Sequence, residues 1–327
     1  MSSRVISRNL RRLFIIAAVA VSSLAEAEPL KIGYSDWPGW VAWEVALEKG
    51  WFEEAGVDVE FEWFDYVASM EAYSAGQLDA VGMTNGDALV TGAAGAKSVF
   101  VLINDYSNGN DMIVAQRGIA NVADLAGKRI GVEIGFVPHL LLLNALESVG
   151  LTEDDVELVN VPTNETPQVL ASGDVDAIVA WQPSSSQALQ LVPGSKAIYT
   201  SRNQPGLIYD GLAVSPMSLA TRRDDWLKVV DVWYRVVDYI RDPTTTEEAL
   251  SIVAARVGLS AEDYRPFLAG IKILDRSEVV PVLSRSTGFD TVHGSSLMSD
   301  AFNVKYGAYK DPQDVADYLD TSLMLGD

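Results

Sequence analysis

The chain of 327 residues carries 45 acidic against 24 basic side chains, a net charge of −21, and no cysteine. So acidic a chain argues against nucleic acid or anionic lipid as a partner, and the missing thiols exclude disulfides, thiolate catalysis and cysteine metal sites. With 48% hydrophobic and 21% charged residues the composition is globular, and its length exceeds what one core ordinarily supports, so two lobes are expected.

Arg4, Arg8, Arg11 and Arg12 precede an apolar run from Leu13 to Leu24, and Ala25-Glu26-Ala27 follows. A basic start, a short apolar stretch and small residues at a cleavage point make a secretory signal over residues 1–27. The run falls short of the ~20 apolar residues that span a bilayer. Loss of the segment removes four arginines and Glu26, which takes the net charge from −21 to −24. Without a cysteine to carry lipid, the exported product is expected free in a Gram-negative periplasm.

Leu30–Tyr34 reads as a strand, 41–49 as a helix stopped by Gly50, and 57–63 alternates with the period of a strand. A helix over 66–74, a strand over 78–83, a helix over 87–94 and a strand over 98–103 follow. The pattern restarts with strands over 128–133, 156–161 and 175–181, separated by helices over 140–149 and 167–172. Such alternation implies mostly parallel sheets. Asp79-Ala80 and Asp176-Ala177 open corresponding strands, an echo between two lobes. Segments 112–115 and 212–214 are expected to cross between the lobes as a two-stranded hinge. Beyond Ser218 the chain is expected to be helical over 223–240, 246–257, 261–268 and 312–324, with Trp226 and Trp233 as packing residues.

Five strand ends run into loops that mix carboxylates with aromatic or amide side chains: 35–40, 63–66, 84–87, 104–111 and 180–183. Ligands of open α/β folds bind at the carboxyl ends of strands. Aromatic faces beside carboxylates suit a small cation.

The ordered set Lys31-Ile32-Gly33-Tyr34, Ala46-Leu47-Glu48-Lys49-Gly50-Trp51-Phe52, Ala75-Gly76-Gln77-Leu78-Asp79-Ala80 and Asp124-Leu125-Ala126-Gly127-Lys128-Arg129-Ile130-Gly131-Val132 resembles the periplasmic substrate-binding proteins of ABC importers, in the nitrate/sulfonate/taurine group. The resemblance covers most of residues 30–215. It implies an α/β fold of two lobes, type II-like, closing on one small-molecule ligand for delivery to an ABC permease in the inner membrane. Residues 28–112 with 213–327 are then one lobe plus the C-terminal helices, and 113–212 the other. Members that bind sulfonates or nitrate typically offer hydroxyls, helix N-terminal amides and a basic or histidine side chain. Here the cleft loops carry Asp36, Asp65, Asp87, Asp105, Asp111 and Glu133 without lysine or arginine. Runs 36–40, 84–87 and 107–111 are similar to a branch associated with urea and guanidine carboxylation.

The expected ligand-binding residues are Trp37, Asp65, Asn85, Asp87, Asp111, Glu133, Trp181 and Asp210. Asp65 and Asp87 stand equally where a helix cap is expected. Glu133, inside an apolar strand, needs a partner of some kind. Trp43 is expected in the core, and His139 at a helix terminus without a ligand role. No catalytic triad, phosphate loop, metal set or cofactor motif is present. The expected function is a monomeric receptor for guanidinium or a related amidine, urea or amine, and not an enzyme. The alternatives are a receptor for a sulfonate, nitrate or pyrimidine-like ligand, and an enzyme resembling those of thiamine-precursor synthesis.

Overall fold

The computed structural model describes residues 28–326; the expected signal segment, 1–27, lies outside them. Eleven strands form two sheets. The first contains β1 (Leu30–Tyr34), β2 (Val59–Trp63), β3 (Ala80–Thr84), β4 (Val99–Ser107), β10 (Tyr209–Val214) and β11 (Ile271–Ile273). Its order is β11-β4-β10-β3-β1-β2, with β1 parallel to β2 and β3, and β10 antiparallel to its neighbours. The second holds β5 (Met112–Ala115), β6 (Arg129–Val132), β7 (Glu157–Asn160), β8 (Ala177–Ala180) and β9 (Lys196–Thr200), in the order β7-β6-β8-β5-β9. Each sheet thus combines parallel strands with an antiparallel strand that enters from the other lobe, β10 in the first and β5 in the second, and the first sheet adds the antiparallel β11 at its edge.

The Asp-Ala echo has a physical cause. Asp79 accepts from the Lys31 backbone N–H at 3.0 Å, and Asp176 accepts from the Arg129 N–H at 2.9 Å. Each carboxylate caps the start of the neighbouring parallel strand, where a first donor otherwise lacks a partner. The same device is used once per lobe. The expected crossing strands, 112–115 and 212–214, are members of the sheets themselves, and the passages between lobes are made by residues 108–111 and 201–208.

The first lobe is backed by helix Arg223–Arg241, whose buried residues Trp226, Val229, Val230, Trp233, Val236, Val237 and Ile240 recur at helical spacing. Trp43 and Trp233 meet with ring centroids 4.7 Å apart, and both are buried, as is Trp226. The expected helix over 41–49 is broken into Pro38–Val41 and Glu44–Glu48. Strand β4 continues to Ser107, beyond the expected end at Ile103, which carries Asn104 and Asp105 into the sheet. Helices Ser184–Leu191, Arg276–Val282 and Val292–Lys305 add to the expected set.

Candidate functional site

The carboxyl ends of β1, β3, β4 and β8 and the amino end of the antiparallel β10 converge between the sheets. After β1, Trp37 begins the turn into helix Pro38–Val41, and its indole Nε1 donates to Asp105 Oδ1 at 3.2 Å. That approach needs Gly39: a Cβ there would lie 1.8 Å from Asp105 Oδ2. Gly39→Ala is therefore expected to displace the Asp105 carboxyl and cost about 1–3 kcal/mol in urea unfolding. An unchanged midpoint would contradict the packing described.

Trp40 stacks on Tyr66, 5.4 Å between centroids at 21°, and Trp181 meets Tyr66 edge-on at 5.3 Å. The Tyr66 hydroxyl donates to Asp87 Oδ2 at 2.7 Å and accepts from the Thr84 N–H at 3.1 Å. Trp181 comes from the end of β8, in the second sheet, and its Nε1 donates to Asp36 Oδ1 at 3.1 Å. This bond joins the two lobes. A second contact joins them at the rim, where Lys305 and Tyr306 of the C-terminal region both engage Glu147.

These rings divide the cleft. An inner chamber of about 10 Å³ is lined by Trp37, Trp40, Tyr66, Asp111, Trp181 and Asp210, with Thr84, Val137 and Ile208. An outer chamber of about 370 Å³ holds the carboxylates Asp36, Asp65, Glu133 and Glu165 and the rings of Trp63, Phe64 and Phe136. Tyr66 and Trp181 line both. No lysine, arginine or histidine lines either chamber.

Burial without a counter-cation raises the acid groups. Asp87 is pushed up to about 6, against the opposing hydrogen bonds from Tyr66, Thr84 and the Val137 backbone. Asp36 also reaches about 6 despite the Trp181 bond, and Asp111 about 7 despite one from Ser107. Glu133 rises to about 7 through burial, although Thr163 Oγ1 donates to it at 3.1 Å. Asp105 and Asp210 oppose each other across β4 and β10. Burial lifts both well above the carboxylate range, and the charge of Asp105 lifts Asp210 further. No donor from elsewhere in the protein reaches Oδ2 of either. The pair must share a proton or face a cation.

Of the eight expected ligand residues, Trp37, Asp111, Trp181 and Asp210 line the inner chamber, while Asp65 and Glu133 line the outer one with Trp181. Asp65 makes no side-chain cap bond to helix Tyr66–Ser74. Asp87 is not the cap either: Thr84 is, and Asp87 stands behind the Tyr66 hydroxyl. Asn85 lines neither chamber. Its amide donates to Ser295 and Ser296 and its oxygen accepts from the Tyr209 N–H, so it ties helix Val292–Lys305 to β10. Glu133 follows β6 and is not inside it. Asp36, Tyr66 and Trp40 are also wall residues, and each sits in one of the five strand-end loops. Asp105, expected in a loop, lies within β4, which runs four residues beyond Ile103.

Two sheets joined by two passages, with a cleft between them, define the fold of the two-lobed periplasmic solute-binding proteins. The chain superposes on the periplasmic aliphatic sulphonate binding protein of Escherichia coli with a TM-score of 0.73 at 20% identity, over 91% of this chain and 99% of that one. It superposes on the ligand binding component of an ABC-type import system from Staphylococcus aureus with a TM-score of 0.74 at 14% identity, over 91% and 98%. A Brucella abortus protein assigned as a binding protein is 28% identical over 319 residues, 94% of this chain and 97% of the relative. The chain belongs to the NMT1-like family, whose sequence pattern matches residues 23–254, more than half of its length.

Proposed function

We propose that the protein is the solute-binding component of an ABC importer and that it captures a small organic cation by closing its lobes. The observation that carries this reading is the pair of chambers lined by carboxylates and aromatic rings, with no basic side chain on any wall. An anion in either chamber would meet uncompensated negative charge; a cation would donate charge-assisted hydrogen bonds to the carboxylates and lie against indole faces, where each cation–π contact contributes ~0.5–2 kcal/mol. Among the described residues no group of three or more histidine, aspartate or glutamate side chains is placed to hold a metal ion, which favours an organic cation over a metal. The Staphylococcus aureus neighbour supports the importer role, which makes the partners a small-molecule ligand and a membrane permease, with the receptor itself a periplasmic monomer. Guanidinium, an amidine and an amine share the required chemistry, and guanidinium agrees with the resemblance to the guanidine-associated branch.

Isothermal titration with guanidinium, alkylamines, urea, taurine and nitrate tests the reading. Guanidinium or an amine is expected to bind and nitrate to give no heat; binding of taurine or nitrate alone would sink it. The second reading, a sulfonate ligand, is favoured by the Escherichia coli neighbour. It requires that Asp87→Asn and Glu133→Gln leave affinity unchanged or raise it, whereas the cation reading requires that both lower it.

A further inference from the structure

The cleft's two chambers differ in size by more than an order of magnitude, and the difference bears on the shape of the cation. The inner chamber, about 10 Å³, takes one water-sized group. Asp210, 1% exposed, lines it, and its Oδ2 meets no donor from the protein. Asp111 lines the same space. A planar guanidinium overfills such a space, whereas an ammonium group is water-sized and supplies three donors.

The outer chamber has room for the rest of a larger molecule. A head bound inside leaves its carboxylates, Asp36, Asp65, Glu133 and Glu165, without a counter-charge. Glu133 is held in place by Thr163, so its carboxylate is a fixed acceptor. Between the chambers stand Tyr66 and Trp181, whose rings offer apolar surface to methylene groups. A zwitterionic amino acid would set its own carboxylate against these acids.

Resting on the cation reading, we infer that the ligand is an elongated aliphatic dication of the α,ω-diamine class, with one ammonium at Asp111 and Asp210 in the inner chamber and the second at Glu133 in the outer chamber. The linker crosses from one chamber to the other alongside the rings of Tyr66 and Trp181, whose edge-on contact, 5.3 Å between centroids, parts to admit it.

Titration of the exported chain with butylamine and with α,ω-diamines from ethylenediamine to hexamethylenediamine tests this, with guanidinium and taurine in parallel. One diamine length is expected to bind at least ~10-fold more tightly than butylamine, the gain of a second charged hydrogen bond. Glu133→Gln is expected to cost that diamine at least ~5-fold more than it costs butylamine, and Glu133→Asp, which keeps the charge, to recover part of the preference. Thermal unfolding of both variants controls for folding. Butylamine equal to the best diamine, or Glu133→Gln acting equally on both, overturns the inference while the cation reading stands. Binding of taurine with no response to any amine or guanidinium overturns both.

Discussion

The ligand-free protein is expected to become more stable as pH falls from about 8 to about 5, by at least ~3 kcal/mol. The cause is the cleft. Asp36 and Asp87 rise from 3.8 to about 6, Asp111 from 3.8 to about 7 and Glu133 from 4.5 to about 7, burial being the largest cause for each. Between the unfolded and folded values the native state holds protons that the unfolded chain has lost. Stability from these groups is therefore fully present below pH 4 and is lost as pH rises through 6 to 7. A single group raised as far as Asp87 contributes about 1.4 kcal/mol to the change between pH 8 and pH 5, and about 3 kcal/mol only below pH 4.

His139 works in the opposite direction. Burial lowers it from 6.5 to about 4, so the unfolded chain binds that proton first and stability falls on acidification below pH 6.5. One histidine offsets about one carboxyl, and the remainder sets the sign. Urea unfolding at closely spaced pH values measures it. A midpoint that is flat, or that falls, between pH 8 and pH 5 would refute the electrostatic picture of the cleft. A saturating cation should flatten or reverse the slope, because it favours the ionised acids that the empty cleft penalises.

Much of the fold was legible because local signals and tertiary context agree. Leu30–Tyr34 is a short apolar run between Pro29 and the turn residues Ser35 and Asp36, and Tyr66–Ser74 is followed by a glycine of positive φ, Gly76. Helix Val292–Lys305 was not legible, since its buried side includes Gly294, Ser295, Ser296 and Ser299. Ser295 and Ser296 accept from the Asn85 amide, and the sequence carries no trace of a bond between residues so far apart. The site was legible as a set of strand ends. Its inner chemistry was not, because it depends on pairing: Asp105 and Asp210 become one proton-sharing unit only once β10 is laid antiparallel beside β4. Thr84 displaced Asp87 as the helix cap by one turn of register, which freed the Asp87 carboxylate for Tyr66.

Trp181→Ala is expected to weaken ligand binding by about 100-fold, the largest effect of any single substitution in the cleft. The side chain acts in three ways at once. Its indole N–H reaches across to Asp36, its ring packs edge-on against Tyr66, and the same ring lines both chambers. A hydrogen bond to a charged group contributes ~1.5–3 kcal/mol and a cation–π contact ~0.5–2 kcal/mol, which together reach the ~2.7 kcal/mol that a 100-fold loss requires. Trp181→Phe keeps an aromatic face and removes the donor, so it should retain about a tenth of the affinity. Small-angle scattering separates the two roles. The ligand should make the parent chain more compact, Trp181→Phe less so, and Trp181→Ala scarcely at all, because the lobes then lack their contact at the ligand. If Trp181→Ala binds and compacts like the parent, the lobes close on other groups, with the Glu147 contacts to Lys305 and Tyr306 first among them.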